Sequence, residues 1–218
     1  MKTIINGPAP SVGGAPEYPK IETLLNRDEK TFKVQLEEWR LPEFAYLAGL
    51  PWQWTEKVDG TNIRIHWNGI SVSFGGKTDK AQVPTFLLAR LNALFSAEKF
   101  AAFYPDSPMT LYGEGFGAKI QRGGKYKADG VDFVLFDVLI EGWWLERPNM
   151  EDIASKLGTQ TVPLVGTGTL RNAVACAHAG LQSRWGNFQA EGLVVKPEVG
   201  LRTRSGHRII GKIKTKDF

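Results

Sequence analysis

The feature that most restricts how this chain can fold is an alternating stretch with a turn in its middle. Ile63, Ile65 and Trp67 alternate with Arg64 and His66, Asn68-Gly69 follows, and Ile70, Val72 and Phe74 alternate again. Side chains on a strand point to opposite faces with a period of two, and Asn-Gly supplies the positive-φ positions of a tight turn. The pattern predicts a β-hairpin with one buried face. Residues 52–56, 109–113, 132–140, 191–196 and 207–214 also read as strands, and 132–140 is apolar enough to be buried on both faces. Pro84 opens a helical stretch in which Phe86, Leu87, Leu91, Leu94 and Phe95 recur at helical spacing. Asn149 is expected to cap a short helix ending at Gly158, and Leu170 to Ala179 to form another, stopped by Gly180. Helices mixed irregularly with hairpins predict an α+β fold of antiparallel sheets flanked by helices, not a doubly wound one. The Gly- and Pro-rich start predicts an extended lead-in over residues 1–17, with one domain over 18–218.

Composition excludes several classes. The 218 residues suffice to bury a sizeable core, and Cys176 is the only cysteine, which rules out an intramolecular disulfide or a Cys-rich zinc site. No window approaches the roughly 20 apolar residues of a membrane span, and the N-terminal apolar stretch is too short for a signal peptide. A soluble, cytoplasmic protein is the expectation. The net charge of +4 is mild, but Arg202, Arg204, Arg208, Lys212, Lys214 and Lys216 follow one another with His207 and no acid until Asp217. Such a run is either a solvated face or a contact for polyphosphate or nucleic acid.

Chemistry concentrates in Glu56-Lys57-Val58-Asp59-Gly60-Thr61-Asn62-Ile63-Arg64. A lysine at a strand end, followed by a Gly-containing turn, places an amine at the mouth of a cleft with backbone N–H groups available to an anion. A surface turn with incidental charges has the same local sequence. Four further segments add to it. Leu111-Tyr112-Gly113-Glu114-Gly115-Phe116-Gly117 sets a carboxylate just after a strand, among glycines that allow close approach of a ligand. Phe136-Asp137 ends an apolar strand, Glu191 and Lys196 flank another, and Lys212 and Lys214 project from one face. Gly76-Lys77-Thr78 imitates the end of a P-loop, but Ser71 stands where that loop's first glycine belongs.

These five segments, in this order, resemble motifs I, III, IIIa, IV and V of the covalent nucleotidyltransferases, a superfamily of DNA ligases, RNA ligases and mRNA capping enzymes. The nearest likeness is to phage-type, ATP-dependent RNA ligases of the nick-sealing class, and it runs from about Tyr18 to Phe218. It implies a ligase adenylation fold without an OB-fold, in which Lys57 attacks the α-phosphorus of ATP to form lysyl-AMP. Glu56 would lie beside adenine, Glu114 would bind the ribose and Phe136 would stack on the base. Lys212 and Lys214 would hold the α-phosphate and the leaving pyrophosphate. Arg64 and Lys77 would stand near the phosphates or the RNA, and Asn62 among the nucleotide contacts. Glu191, Asp137 and Asp59 would serve a divalent metal, magnesium with manganese as substitute.

The same resemblance implies RNA ends or a nicked duplex as substrate, no membrane, and the host cytoplasm for a phage-encoded protein. Lys77 stands where those ligases usually have Arg, which costs a bidentate phosphate grip. The chain stops at Phe218, directly after motif V, where relatives carry a further domain; a protein partner in its place, or slow later steps, is the expectation. A ligase acting on DNA or hybrid nicks, and a silent nucleic-acid-binding module, are the competing readings. The oligomeric state is not legible in the sequence.

Overall fold

The computed structural model describes residues 15–218; of the lead-in expected over residues 1–17, residues 1–14 lie outside the described residues. In chain order the elements are β1 (Glu22–Thr23), β2 (Leu25–Arg27), β3 (Val34–Trp39), α1 (Pro42–Leu47), β4 (Trp52–Glu56), β5 (Thr61–Trp67) and β6 (Val72–Gly75). Then come α2 (Thr85–Leu94), α3 (Ala97–Phe103), β7 (Met109–Gly117), β8 (Val131–Ile140), β9 (Trp143–Trp144) and α4 (Arg147–Leu157). The chain finishes with β10 (Gln160–Thr161), β11 (Leu164–Gly168), α5 (Leu170–His178), β12 (Gly192–Pro197) and β13 (Gly211–Lys214). They form two compact units, one of Gly60–Thr161 with residues 15–18, the other of Pro19–Asp59 with Val162–Phe218.

The first unit is built on the sheet β10-β8-β7-β5-β6, with β9 beside β8. Ile63, Ile65 and Trp67 of β5, Phe74 of β6, Leu111 of β7 and Phe133, Leu135 and Val138 of β8 point to one face. There they meet Leu87 and Leu91 of α2, Phe100 of α3 and Ile153 and Leu157 of α4. The alternation in the sequence is therefore the alternation between this core and the opposite face. The hairpin forms, but with Trp67 opposite Val72, so its loop is Asn68–Ser71, not the two-residue turn expected. The Asn68 side chain accepts from the backbone N–H groups of Ile70 and Ser71 at 2.9 and 2.8 Å, which an Asx turn needs and a two-residue turn does not. Ile70, expected on the strand, is thereby left on the loop with 84% of its surface exposed.

The β7–β8 register slips between Tyr112, which faces Asp137, and Gly113, which faces Leu135, so Phe136 is the extra residue of a bulge. A bulge breaks the two-residue period. Here it puts Phe136 and Asp137 in succession on the face away from the core, where both meet Tyr18.

The second unit is a five-stranded sheet, β1-β13-β12-β4-β11, with the ribbon β2-β3. Trp52 and Trp54 of β4, Leu193 and Val195 of β12 and Ile213 of β13 pack with Phe44 of α1 and Leu170, Ala173 and Ala177 of α5. Helix α5 begins as expected, on a reciprocal capping box between Thr169 and Asn172, and Gly180 beyond its end takes a positive φ.

Two boundaries differ from the sequence-based expectation. Helix α4 starts at Arg147 with Glu146 as N-cap, three residues before the expected start after Asn149, because Pro148 suits the first turn. Residues 207–210 do not join β13. They turn back on 201–203, with Thr203 N–H on the His207 carbonyl at 2.8 Å and Ile209 N–H on Leu201 at 3.1 Å. Pairing is antiparallel throughout apart from β1 with β13 and β10 with β8.

Candidate active site

Lys57 follows β4 directly, and its backbone N–H donates to the Gly192 carbonyl at 2.9 Å. Gly192 in turn lies opposite Lys214 on β13, so three neighbouring strands bring Lys57, Glu191 and Lys214 together. Glu191 binds both amines, Oε2 to Lys57 Nζ and Oε1 to Lys214 Nζ, each at 2.6 Å. Gly192 is required for this approach, since a Cβ there would lie 2.1 Å from the Ile213 carbonyl oxygen. Burial by itself would raise the Glu191 pKa, but the two ammonium groups outweigh it and hold the carboxyl below its ordinary value of 4.5. Lys212, two residues before Lys214, projects from the same face of β13 and pairs with Val194. Sequence reasoning placed these residues in one site but not the carboxylate bridge between two lysines, which joins segments 134 residues apart.

Glu56 points the other way. It is 1% exposed, and its two oxygens accept from Ser183 Oγ at 2.6 Å and Arg184 N–H at 2.8 Å. Strand alternation explains the split, because Glu56 shares the parity of Trp52 and Trp54 while Lys57 shares that of Thr55. Ser183 and Arg184 carried no motif in the sequence; only the fold reveals them as partners that fix the strand end beneath Lys57. Asp59 is half-buried at the end of this unit.

In the first unit, Glu114 lies within β7, opposite Asn62 on β5 and Val134 on β8, not just after a strand. The neighbouring glycines serve packing. A Cβ at Gly113 would meet the Phe133 ring at 2.1 Å, and one at Gly115 would meet Leu87 at 2.5 Å. They face the core, and Glu114 the other side. Asn62 presents a buried Oδ1 that accepts no hydrogen bond. Phe136 is half-buried, with Tyr18 edge-on at 5.0 Å, while Asp137 is buried and accepts from the Tyr18 hydroxyl at 2.6 Å. Tyr18 also packs on Tyr112 and Trp144, so it anchors the chain entry against this face.

Arg64, expected near phosphates or RNA, has no exposed surface. Its Nε, Nη1 and Nη2 donate to the Gly76 carbonyl, the Ala15 carbonyl and the Asp79 carboxylate at 2.8, 2.9 and 2.8 Å. The guanidinium thus holds residues 15 and 76–79 to the sheet. Lys77, on the segment so held, is exposed.

Among the described residues no three His, Cys, Asp or Glu side chains cluster to hold a metal. Magnesium at phosphate-transfer sites takes one or two carboxylates and completes its shell with water and substrate oxygens. Glu191 fits that limited demand.

A family model described as RNA ligase matches residues 50–214, well over half of the chain and the whole stretch from Glu56 to Lys214. The chain belongs to the RNA ligase family. No curated protein matches it. Among solved structures, this RNA ligase family member is similar in fold to Naegleria gruberi RNA ligase. A variant of that ligase solved without ligand has a TM-score of 0.65 at 20% identity, over 91% of this chain and 62% of that one. A variant solved with ATP and manganese gives 0.65 at 19%, and one with AMP and manganese 0.64 at 19%, with the same coverage. The chain therefore spans about 62% of the length of the ligases it resembles.

Proposed function

We propose that the protein is an ATP-dependent RNA ligase that takes AMP onto Lys57 and joins RNA 3′-hydroxyl to 5′-phosphate ends. The observation that carries this reading is the Lys57–Glu191–Lys214 bridge in a chain of the RNA ligase family. A lysine amine must shed its proton before it can attack phosphorus. Glu191 holds the Lys57 amine as an ion pair, so attack on phosphorus requires Lys57 to leave that pairing. Glu191 would hold magnesium or manganese together with the substrate phosphates. The metal supplies neutralisation of phosphate charge.

Lys57 Nζ, its ammonium proton given up to solvent, then forms the N–P bond as the bond from the α-phosphorus to pyrophosphate breaks. Lys212 and Lys214 would neutralise the charge that builds on the α-phosphate and the leaving group. Asn62, with its unpaired buried oxygen, Glu114 and Phe136 would bind the nucleoside, as the resemblance implies. Glu56 is assigned to positioning: it fixes the strand end that carries Lys57 through Ser183 and Arg184. Asp137 would act through Tyr18, and Arg64 through the segment that displays Lys77. In the second step AMP passes to the RNA 5′-phosphate; in the third the 3′-hydroxyl attacks and AMP leaves.

Sealing of matched nicked duplexes, one all-RNA at the nick and one all-DNA, tests the substrate. The RNA nick should be joined in the presence of ATP and magnesium and the DNA nick should not. Joining of the DNA nick alone would replace this reading with a DNA ligase. Binding of both without joining or adenylation would leave a silent binding module.

A further inference from the structure

Of the six basic residues in the C-terminal run, the proposed chemistry takes only Lys212 and Lys214. The beginning of the run lies elsewhere, on the turn that residues 201–209 make with themselves, closed by the Arg202–Arg208 bridge. This turn and helix α1 flank a shallow, open hollow of about 400 Å³ within the second unit. That volume falls in the range of small-ligand sites. Pro42, Leu47, Leu201 and Ile209 give it apolar walls, and Arg202, Thr203, Arg204 and Glu43 supply polar groups. At its edge stands Tyr46, 89% exposed.

At 89% exposure the Tyr46 ring leaves almost all of its surface to solvent, open to a stacking partner. Two arginines against one glutamate leave the cavity lining with a net positive charge, complementary to a phosphodiester. An exposed ring beside apolar walls and arginines is the composition of a platform on which a base stacks while its phosphate is held. We infer that this cavity is a second nucleic-acid contact, taking one stacked nucleotide of a single-stranded RNA segment between Tyr46, Arg202 and Arg204. This rests on the RNA ligase reading for the identity of the strand, but its residues belong to no part of the proposed adenylation site.

The test is fluorescence anisotropy of the full chain with a labelled single-stranded RNA bearing a 5′-hydroxyl, which cannot accept AMP. Tyr46→Ala should weaken binding about tenfold, and Tyr46→Phe should retain it. Arg204→Ala should also weaken it, and should lower the slope of log affinity against log salt by about 0.7. AMP loading of Lys57 should stay at the wild-type level in all three variants. Tyr46 is too exposed for its loss to unfold the chain. Wild-type protein that fails to bind this RNA, or affinity unchanged by both Tyr46→Ala and Arg204→Ala, would overturn the inference. So would displacement of the RNA by poly-glutamate as readily as by unlabelled RNA, which would mark an acidic-peptide site. AMP loading reads the ligase proposal separately: binding that depends on Tyr46 in a chain that never takes AMP would remove the ligase and keep the platform.

Discussion

Replacing Glu191 by Gln removes the one negative charge that lets Lys57 and Lys214 converge. The three side chains are 24%, 14% and 25% exposed, between the surface and buried extremes. Each pair at 2.6 Å is worth about 6 kcal/mol of Coulomb attraction at an effective dielectric near 20. Most of that is offset by the cost of drying the charges, and pairs in such positions contribute roughly 1 kcal/mol each net. Glu191→Gln should therefore cost about 2 kcal/mol at pH 7. For a chain of this size that is a fall in Tm of roughly 4–8 °C, measurable by circular dichroism. The pH dependence carries the finer test. The folded carboxyl lies below its ordinary 4.5, so the unfolded chain binds the proton first and stability rises with pH in that window. The wild-type advantage should be complete above about pH 5 and shrink as pH falls through the folded value. An equal difference between the two proteins at pH 7 and at pH 3, or none at pH 7, would refute the carboxylate bridge.

Three further substitutions probe the packing. Glu56→Ala strands Ser183 Oγ and Arg184 N–H without their acceptor and should cost about 3 kcal/mol, seen as a lower midpoint in urea. Gly113→Ala drives a methyl group into Phe133 and the Val134 carbonyl, and should cost several kcal/mol by the same assay, about 3 or more. Arg64→Lys keeps the charge but cannot reach Gly76, Ala15 and Asp79 at once; a loss of about 3 kcal/mol and faster proteolysis near residue 15 are expected.

How much of the fold and site was legible in the sequence depended on whether the cause was local. The hairpin, α2, α5 and the β4 strand came from periodicity and caps, because one buried face imposes its period on each. The α+β class came from their irregular order. The four-residue loop at Asn68 did not, since Asn-Gly suits two turns and the Asx hydrogen bonds decide between them. Residues 207–210 looked like strand but spend their backbone groups on residues 201–203. At the site, Lys57, Glu191 and Lys214 were named from their motifs. The bulge that turns Phe136 and Asp137 to one face, the burial of Arg64 and the Glu56–Ser183 pair were not, because each depends on partners far along the chain. The glycines around Glu114 were assigned to ligand approach from their spacing, whereas Gly113 and Gly115 make room for Phe133 and Leu87.

The central claim is that Lys57 becomes the carrier of AMP, and intact-protein mass spectrometry tests it most directly. Wild type and Lys57→Ala are first confirmed to be free of nucleotide, then incubated with magnesium and either ATP or GTP. One AMP adduct on the wild type with ATP, none with GTP, and none on a folded Lys57→Ala is the predicted result. An adduct that persists in Lys57→Ala, or its absence from the wild type with both nucleotides, would contradict the account.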